Sequence, residues 1–372
     1  MVIGIDASRA NQKQKTGIGW YSYYLIQELK KIPLNQGDKF ILYSSDKLKH
    51  DLATLPENWR SKILHWPVKY LWTQIRLATE MLFNPPDILF VPAHCLPIIC
   101  PIKSVITIHD LGFKRFKKAY SLWQRIYLNL VYWWAARQAN KIIVPSRFTK
   151  EEVLKFYKVK ENRIEVVHEG YNEKVFYQEK DLEKINSVLQ NYKIEKPYFL
   201  YVGRIESKKN IIALINAYKK LIKQKKLNVP KMVLIGRSGF GYVKIKKELE
   251  LVKKMFFLPG YVKEEDLVYF YNGAVAFIFP SLYEGFGLPL LEAMACGCPV
   301  ISSKSSCLPE IGKSAVLYFY PQDINDLARI MEKVIRDENI VNQLRQKGFI
   351  NVKDFSWEKC AFETYKIFQA IK

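Results

Sequence analysis

Residues 275–297 read VAFIFPSLYEGFGLPLLEAMACG. The apolar run Val275–Phe279 is typical of a strand that is buried on both faces of a parallel sheet. Two glycines follow it, and Pro289 lies in the first turn of the helix that we predict over Leu288–Cys296. The stretch therefore predicts a strand–loop–helix unit, with the helix N-terminus at the carboxyl edge of a sheet.

The same alternation of apolar runs and helical patterns extends along the chain, and it predicts an α/β fold with two parallel sheets covered by helices. The strands predicted in the first half are Val2–Asp6, Lys39–Tyr43, Lys62–Trp66, Asp87–Val91, Ser104–His109, Lys141–Val144 and Arg163–Val167. Those predicted in the second half are Tyr198–Val202, Met232–Gly236, Met255–Leu258, Val275–Phe279, Pro299–Ser302 and Ala315–Tyr318.

Helical periodicity lies between these runs. The predicted helices are Ile18–Lys31, Tyr70–Phe83, Leu122–Ala139, Thr149–Tyr157, Ile211–Lys226, Lys244–Lys253, Glu264–Tyr271, Leu288–Cys296 and Asp323–Arg336. Thr149 and Glu152 have the spacing of a capping box, and Ser146 is typical of an N-cap.

The polar segment Tyr177–Lys196 contains no strand candidate and separates the two halves. A chain of 372 residues suits two domains. We place a Rossmann-like domain at 1–180 and a second at 181–355. Doubly wound domains bind ligands at the carboxyl ends of their strands, so we expect the two crevices to face each other across a cleft.

The composition, 49% hydrophobic and 25% charged, is typical of a soluble globular protein. No run approaches the roughly 20 apolar residues of a membrane-spanning helix. The first residues read as a strand and not as a secretory signal, so we expect a cytoplasmic protein. The six cysteines form no CxxC pair and no zinc-ligand spacing with histidine, which predicts free thiols.

The net charge of +22 calls for an anionic partner or surface. Between Leu111 and Lys150 the chain has no acid and nine basic residues, namely Lys114, Arg115, Lys117, Lys118, Arg125, Arg137, Lys141, Arg147 and Lys150. Apolar residues recur there at helical spacing, namely Leu122, Trp123, Ile126, Leu130, Trp133 and Trp134. Two interpretations stay open. One is a core helix that buries Trp133 and Trp134, and the other is a surface helix within 112–137 that lies on an anionic membrane.

Charged residues follow two of the predicted strands. Arg204 and Lys209 flank the loop after Tyr198–Val202, where a planar fork and a point charge suit a diphosphate. Glu284 precedes the helix at Leu288, and Glu292 lies one turn inside it, so both carboxylates can face one ligand. The structural alternative makes Glu284 a helix-entry acid, Glu292 a solvated helix residue and the loop a solvated basic loop.

These two segments resemble the donor-binding half of glycosyltransferase family 4, whose members are retaining enzymes of the two-domain GT-B type. The family's signature has two glutamates separated by seven residues, as Glu284 and Glu292 are, and its Gly-Arg…Lys loop matches Gly203, Arg204 and Lys209. The segment Phe355-Ser-Trp-Glu-Lys resembles the start of the family's last helix, which crosses back to the first domain. The resemblance thus implies that 356–372 completes the first domain, that the domain at 1–180 binds the acceptor and that the domain at 181–355 binds the nucleotide sugar.

The resemblance also implies the site residues. Catalytic roles fall on Glu284, His109 and Asp110, where Asp110 orients the imidazole or binds acceptor hydroxyls. Donor binding falls on Gly17, Gly19, Arg204, Lys209, Val262, Gly285, Phe286, Gly287, Leu288 and Glu292, with the diphosphate on Arg204 and Lys209, the ribose on Glu292 and the base near Val262. The chain departs from the family at Val167-His168-Glu169-Gly170, where an Asn-Gly pair is frequent, so no role follows for Glu169.

The implied reaction moves a hexose of the mannose or glucose type from GDP-mannose or a UDP-hexose to a glycan or lipid-linked acceptor. We expect it in polysaccharide or lipopolysaccharide biosynthesis, at the inner face of the plasma membrane. The chain contains no DxD triplet, so we expect neither a metal nor another cofactor. The alternatives are a nucleotide-sugar epimerase or a phosphorylase with the same fold, or a nucleic-acid-binding protein. No nucleic-acid-binding module signature supports the last.

Overall fold

The computed structural model describes residues 1–68, 71–223 and 228–371. The chain divides into two compact units, Met1–Gly170 with Ser356–Lys372, and Tyr171–Phe355. Each unit is built around one parallel sheet with helices packed against it.

The sheet of the first unit has seven parallel strands. They are β1 Val2–Asp6, β2 Lys39–Ser44, β3 Trp59–Ile63, β4 Ile88–Val91, β5 Lys103–Thr107, β6 Lys141–Val144 and β7 Ile164–Val166. Their order in the sheet is β3-β2-β1-β4-β5-β6-β7. The order reverses between β1 and β4, which makes the carboxyl ends of these two strands the topological switch point.

The inner strands of this sheet are buried on both faces. In β2, Phe40 and Leu42 belong to one apolar cluster, and Leu89 and Val91 of β4 belong to the cluster on the other face. Successive side chains of a strand point to opposite faces, so a strand that serves two clusters is an unbroken apolar run. Each large apolar side chain buried in this way contributes about 1.5–3 kcal/mol.

The predicted strand Lys62–Trp66 is wrong in register. The strand runs over Trp59–Ile63 instead, and the Trp59 ring stacks on Phe40 of β2 with centroids 4.2 Å apart. Aromatic stacking across neighbouring strands adds to the burial of both rings, and it draws the more polar residues before Ile63 into the sheet.

Among the described residues of the first unit, five α-helices precede the second unit. They are α1 Gly17–Leu29, α2 Ala78–Phe83, α3 Gly112–Arg115, α4 Leu122–Gln138 and α5 Arg147–Tyr157. The predicted helix Tyr70–Phe83 begins at a residue outside the described part of the chain, and α2 is preceded by one π-helical stretch, Thr73–Leu77.

The predicted capping box of α5 is wrong, whereas the predicted N-cap is confirmed. The helix begins at Arg147 because the Ser146 hydroxyl accepts the N–H of Thr149 at 3.2 Å. Glu152 does not reach back to the helix start. Its carboxylate is buried and accepts two hydrogen bonds from the Arg115 guanidinium, one of them at 3.0 Å.

The second unit has a sheet of six parallel strands. They are β8 Tyr198–Val202, β9 Lys231–Ile235, β10 Phe256–Phe257, β11 Ala276–Phe279, β12 Val300–Ser303 and β13 Val316–Phe319. Their order is β10-β9-β8-β11-β12-β13, so the switch point of this sheet lies between β8 and β11.

The helices of the second unit are α6 Leu182–Asn191, α7 Ile211–Lys223, α8 Tyr242–Glu250, α9 Glu264–Gly273, α10 Leu288–Ala295, α11 Leu308–Gly312, α12 Ile324–Arg336 and α13 Glu338–Asn351. The sequence predicts no helix at α6, α11 or α13. The predicted end of α7 at Lys226 lies outside the described residues.

The last helix, α14 over Trp357–Ala370, packs against α1 in the first unit. It begins where the Ser356 hydroxyl accepts the N–H of Lys359 at 3.1 Å, and Tyr365 donates to the buried carboxylate of Asp38 at 2.7 Å. Gly170 lies so close to it that a Cβ there would be 2.1 Å from the nitrogen of Trp357. The end of the chain therefore completes the first unit.

Candidate functional site

In the second unit, two loops leave the sheet side by side at the ends of β8 and β9. The N–H of Gly203 donates to Ile235 at 2.9 Å, and that of Ile205 donates to Arg237 at 2.9 Å. Gly236 has φ +149°, and a Cβ there would lie 1.8 Å from the carbonyl oxygen of Gly203. A glycine is therefore required where the loops approach. The loop that carries Arg204 and Lys209 is thus braced by its neighbour.

The two cations of this loop have different environments. The Arg204 side chain is 65% exposed, and its Nε lies 3.7 Å from the carboxylate of Glu206, so its guanidinium faces solvent. Lys209 is only 13% exposed, and its Nζ donates to Glu284. Lys209 also lies 5.3 Å from the ring centroid of Phe279, within the range of a cation–π contact.

Glu284 is held by its surroundings as well as by Lys209. The Ser281 hydroxyl donates to its Oε1 at 2.5 Å, and its own N–H donates to Ser306 at 3.0 Å. The N–H of Leu282 donates to Lys208 at 2.9 Å, which joins the segment after β11 to the loop after β8. The two predicted segments therefore meet at the switch point of the second sheet.

The helix α10 begins immediately after these residues. Its N-cap is Gly287 at φ +101°, a left-handed conformation that favours glycine, and Leu288 is its first residue. Gly285 and Phe286 are buried in the turn. The thiol of Cys307 lies 3.1 Å from the carbonyl oxygen of Phe286, a contact that no sequence signal predicted. The first N–H groups of such a helix suit an anion or hydroxyl ligand.

Glu292 is partly buried one turn inside α10, and it is not the solvated residue of the structural alternative. The Tyr271 hydroxyl donates to its Oε2 at 2.9 Å. Burial raises the pKa of Glu292 to about 7, and the charge of Glu264 acts in the same direction. No sequence signal marks Tyr271 as part of the site, because a tyrosine within a helical pattern is indistinguishable from a core residue.

The predicted base-binding residue Val262 follows β10 and is buried, and Gly260 before it has φ +81°. Tyr261 between them is exposed. These positions are compatible with a ligand beside the backbone of this turn, and the role of Val262 stays a prediction.

In the first unit, His109 follows β5 and is held from both ring nitrogens. Its Nδ1 lies 3.2 Å from Glu169, and its Nε2 lies 3.3 Å from the carbonyl oxygen of Pro92. The Tyr21 ring packs edge-on against it, with centroids 4.5 Å apart. Glu169 is the carboxylate that contacts this imidazole among the residues that the structure describes, although the resemblance implied no role for it.

The Asp110 Oδ1 accepts the N–H of Gly112 at 2.8 Å and closes the turn into α3, and the role of Asp110 toward His109 or an acceptor stays a prediction. Gly17 begins α1, and a side chain there would meet nothing within 4 Å. A Cβ on Gly19 would lie 3.1 Å from the carbonyl oxygen of Arg9. Gly19 thus serves close packing of the turn, and the donor-binding roles of both glycines stay predictions.

The aromatic residues of α4 lie largely on the surface. Trp123 is 79% exposed and Trp133 is 43% exposed, so of the two interpretations the core helix that buries Trp133 is wrong. Exposed Leu122, Ile126 and Leu130 accompany them. Within α4, the buried residues are Tyr132, Ala135 and Ala136.

Two further observations concern the described residues as a whole. None of their helices is both long and apolar enough to cross a bilayer. Among residues 1–68, 71–223 and 228–371, no three His, Cys, Asp or Glu side chains are grouped to hold a metal ion.

Two family profiles match the chain, one over the residues of each sheet. Residues 16–175 match the profile of "Glycosyltransferase Family 4", and residues 184–350 match that of "Glycosyl transferases group 1". The first match contains His109 and the second contains Lys209, Glu284 and Glu292.

Individual relatives cover most of the chain. It is 27% identical over 379 aligned residues to O-antigen chain mannosyltransferase B of Escherichia coli, with 96% of each chain covered. It is 25% identical to O-antigen chain mannosyltransferase RfbU of Salmonella typhimurium, with 88% of this chain and 92% of the relative covered.

A solved structure has the same fold. The chain aligns with HepE of Anabaena, solved in complex with UDP and glucose, with a TM-score of 0.75 and 99% of each chain covered. The sequence identity to that protein is 14%.

Proposed function

Because the chain belongs to the glycosyltransferases of group 1 and family 4 and has the GT-B fold, we propose that it transfers a mannose-type hexose from a nucleotide diphosphate sugar to a glycan of an O-antigen type. The single observation that carries the site is the contact of Lys209 with Glu284 at the switch point between β8 and β11. The mannose preference rests on the names of the two relatives.

Different residues at this edge of the sheet bind the three parts of the donor, namely the diphosphate, the sugar and the ribose. Lys209 and the exposed Arg204 neutralise the diphosphate, and the N-terminus of α10 adds its N–H groups. Glu284 is held by its hydrogen bonds with Ser281 and Ser306, and its carboxylate accepts hydrogen bonds from hydroxyls of the sugar. Glu292 accepts hydrogen bonds from the hydroxyls of the ribose, and the Tyr271 hydroxyl holds its carboxylate in place.

We propose that the reaction retains the anomeric configuration and needs no metal. The bond from the anomeric carbon to the diphosphate oxygen breaks while the acceptor hydroxyl forms a bond on the same face of the sugar. The departing phosphate oxygen takes the hydroxyl proton. Lys209 and Arg204 stabilise the charge that develops on the leaving diphosphate, which is the task that a metal performs in other transferases.

The acceptor is proposed to be held by a lipid at an anionic membrane. The support is α4, where Trp123 and Leu130 are exposed beside the basic segment Lys114–Lys118. Aromatic rings suit the headgroup layer, and lysines suit its anionic charge. The enzyme would then work as a peripheral protein at that surface.

The function is tested by donor binding and turnover. Thermal unfolding is measured with GDP-mannose, GDP, UDP-glucose and UDP, since a ligand that binds the folded state raises its stability. We expect GDP-mannose to give the largest stabilisation. In the turnover assay, we expect nucleoside diphosphate to be released only when an acceptor glycan is added. A nucleotide sugar that changes configuration at the sugar without an acceptor would establish the epimerase instead.

A further inference from the structure

Glu169 is a buried carboxylate of the first unit to which neither the resemblance nor the proposed donor site gives a role. It follows β7 and is 5% exposed, and its Oε1 lies 3.2 Å from Nδ1 of His109. Within residues 1–68, 71–223 and 228–371, His109 is the one side chain that forms a hydrogen bond or ion pair with it. Removing a carboxylate from water is costly unless its partners compensate, so stability alone does not explain a glutamate here.

The two side chains are brought together by the strand that separates them in the sheet. β6 lies between β5 and β7. The N–H of Ile108 donates to Ile143 at 2.9 Å, and the N–H of Val167 donates to Val144 at 2.9 Å. Both segments therefore continue their pairing with β6 beyond the ends of β5 and β7. The sheet thus sets the distance between the carboxylate and the imidazole before any ligand binds.

An aromatic ring confines the imidazole on another side. Tyr21 of α1 packs edge-on against it, and the Tyr21 hydroxyl lies 3.2 Å from that of Thr107, the last residue of β5. Trp357, the first residue of α14, lies edge-on to Tyr21 in turn, with ring centroids 5.8 Å apart. Edge-to-face packing restrains the plane of a ring, but it does not decide which nitrogen carries the proton. Hydrogen bonds to the two nitrogens make that choice.

The hydrogen-bond partners of His109 favour one tautomer. A neutral imidazole has one N–H, and the other nitrogen has a lone pair. Both partners here are oxygen acceptors, the Glu169 carboxylate at Nδ1 and the carbonyl of Pro92 at 3.3 Å from Nε2. A carboxylate is the stronger acceptor, because its charge strengthens the hydrogen bond. The neutral ring therefore carries its proton on Nδ1.

We propose that Glu169 is a positioning residue for His109. It fixes the orientation of the ring and places the proton on Nδ1, and transfer of the sugar requires both. The inference rests on the proposed function, because it takes the transfer to involve His109, which the resemblance places among the catalytic residues. It gives Glu169 no contact with the donor or the acceptor.

A role in stability alone predicts a different result. Replacing a buried charged pair with apolar side chains of similar volume is often neutral or stabilising. Glu169→Leu leaves a neutral imidazole behind and no buried charge, so a merely structural glutamate could be replaced in this way with little loss. A positioning residue could not, because leucine accepts no hydrogen bond from Nδ1.

The test measures the ring and the reaction in the same proteins. Two-dimensional 15N NMR at pH 8, where an ordinary histidine is neutral, reports which ring nitrogen carries the proton. His109→Gln assigns the signals among the five histidines. Turnover is the release of nucleoside diphosphate from GDP-mannose or UDP-glucose, with octyl mannoside as the acceptor. Calorimetry measures the affinity for GDP and UDP.

The variants separate the loss of the acceptor atom from the loss of the charge. Glu169→Leu removes the acceptor, and Glu169→Gln keeps an oxygen that can accept the Nδ1–H but has no charge. The double variant Glu169→Leu with His109→Gln shows whether the effect of Glu169 passes through His109. The matched control is Glu80→Leu, the same substitution at a buried glutamate of α2 that pairs with Lys62 and Arg76.

We expect the Nδ1–H form to dominate in the unsubstituted protein and the two forms to be mixed in Glu169→Leu. Glu169→Leu should lower kcat by about tenfold or more, because a catalytic ring that is misplaced loses its productive geometry. Glu169→Gln should recover part of this loss. In the His109→Gln background, Glu169→Leu should change kcat by less than about twofold. Every variant should keep the affinity for GDP or UDP, and Glu80→Leu should keep kcat.

Two results would overturn the inference. One is an unchanged tautomer in Glu169→Leu, and the other is a loss of turnover that is as large in the His109→Gln background as without it. If Glu169→Leu does not fold, Glu169→Asp, whose carboxylate is one methylene shorter, decides by the same two measurements. The NMR measurement needs no acceptor, so it decides even where octyl mannoside is a poor one. An unsubstituted protein that binds neither GDP nor UDP would instead overturn the proposed function.

Discussion

Lys209 and Glu284 lie 75 positions apart in the chain and form one ion pair, with side chains that are 13% and 12% exposed. The pair joins the loop after β8 to the turn before α10. A cation held by one carboxylate in partial burial stays in place without a ligand, so the site is partly organised before the donor arrives. The same pair means that a diphosphate must share Lys209 with Glu284.

The first prediction separates these two partners. Lys209→Ala should weaken the binding of nucleoside diphosphate and of nucleotide sugar together, by up to about 3 kcal/mol, because both ligands lose a charge-assisted contact. Glu284→Gln should weaken the binding of the nucleotide sugar without weakening that of the nucleoside diphosphate, because the diphosphate then no longer shares Lys209 with a carboxylate. Calorimetry with both ligands measures this, and Lys219→Ala, which removes the ion pair of Lys219 with Glu248, is the control. Unchanged diphosphate affinity in Lys209→Ala and Arg204→Ala would contradict the assignment.

The second prediction concerns chelation. Turnover should persist in excess EDTA, because the leaving diphosphate is stabilised by Arg204, Lys209 and the N-terminus of α10. The measurement is nucleoside diphosphate release with and without EDTA, then with Mg²⁺ or Mn²⁺ restored. Activity that disappears with the chelator and returns with the metal would refute a metal-independent reaction.

The third prediction follows from Glu292. Its pKa is about 7 in the folded protein against 4.5 for an unperturbed glutamate, so the folded state binds the proton more tightly. The stability gained is fully present below about pH 4.5 and is lost as the pH rises through about 7, by about 3 kcal/mol at most. Urea unfolding from pH 5 to 8 should therefore show Glu292→Gln gaining relative to the unsubstituted protein as the pH rises. Glu265→Gln, at an exposed acid of α9, should show no such trend. A difference between Glu292→Gln and the unsubstituted protein that is constant with pH would speak against the raised pKa.

The fourth prediction tests the brace behind Arg204. Gly236→Ala should cost at least about 2 kcal/mol of unfolding free energy, because it adds a backbone clash with Gly203 to the strain of φ +149°. Gly260→Ala, at φ +81° with nothing within 4 Å of the new Cβ, carries only the strain and should cost less. Equal losses in thermal unfolding of the two variants would mean that the loops separate freely.

The fifth prediction concerns α4 and the basic segment before it. Arg115 pairs with buried Glu152, so it cannot be removed without leaving a buried charge. Lys117→Ser with Lys118→Ser, both exposed, should weaken binding to anionic vesicles by about 2 kcal/mol in all, and less at high salt. Adding Trp123→Ser should weaken it further.

Co-sedimentation with phosphatidylserine and phosphatidylcholine vesicles measures this effect. The control is Lys246→Ser with Lys247→Ser, two exposed lysines of α8 in the second unit. If both pairs of substitutions reduce binding equally, the net charge of the chain and not this surface holds the protein on the membrane.

Much of the fold could be predicted because its signals are local. The apolar runs at Val2–Asp6 and Tyr198–Val202 became strands with the predicted bounds, and the family and the GT-B fold that the resemblance implied are confirmed. Lys62–Trp66 failed because the Trp59–Phe40 stack is a contact between distant residues. The contact of Glu169 with His109 has the same cause, since 60 positions separate the two residues. Whether Trp133 is exposed or buried could not be predicted, because helical spacing identifies an apolar face but does not indicate whether another element covers that face.

The exposed face of α4 has one further consequence. Trp123 and Tyr127 are both exposed and lie one helical turn apart, about 6 Å along the axis of the helix. Residues one turn apart share a face, so on a membrane both rings would reach the same headgroup layer. The helix would then lie in the plane of the membrane surface and would not stand across it.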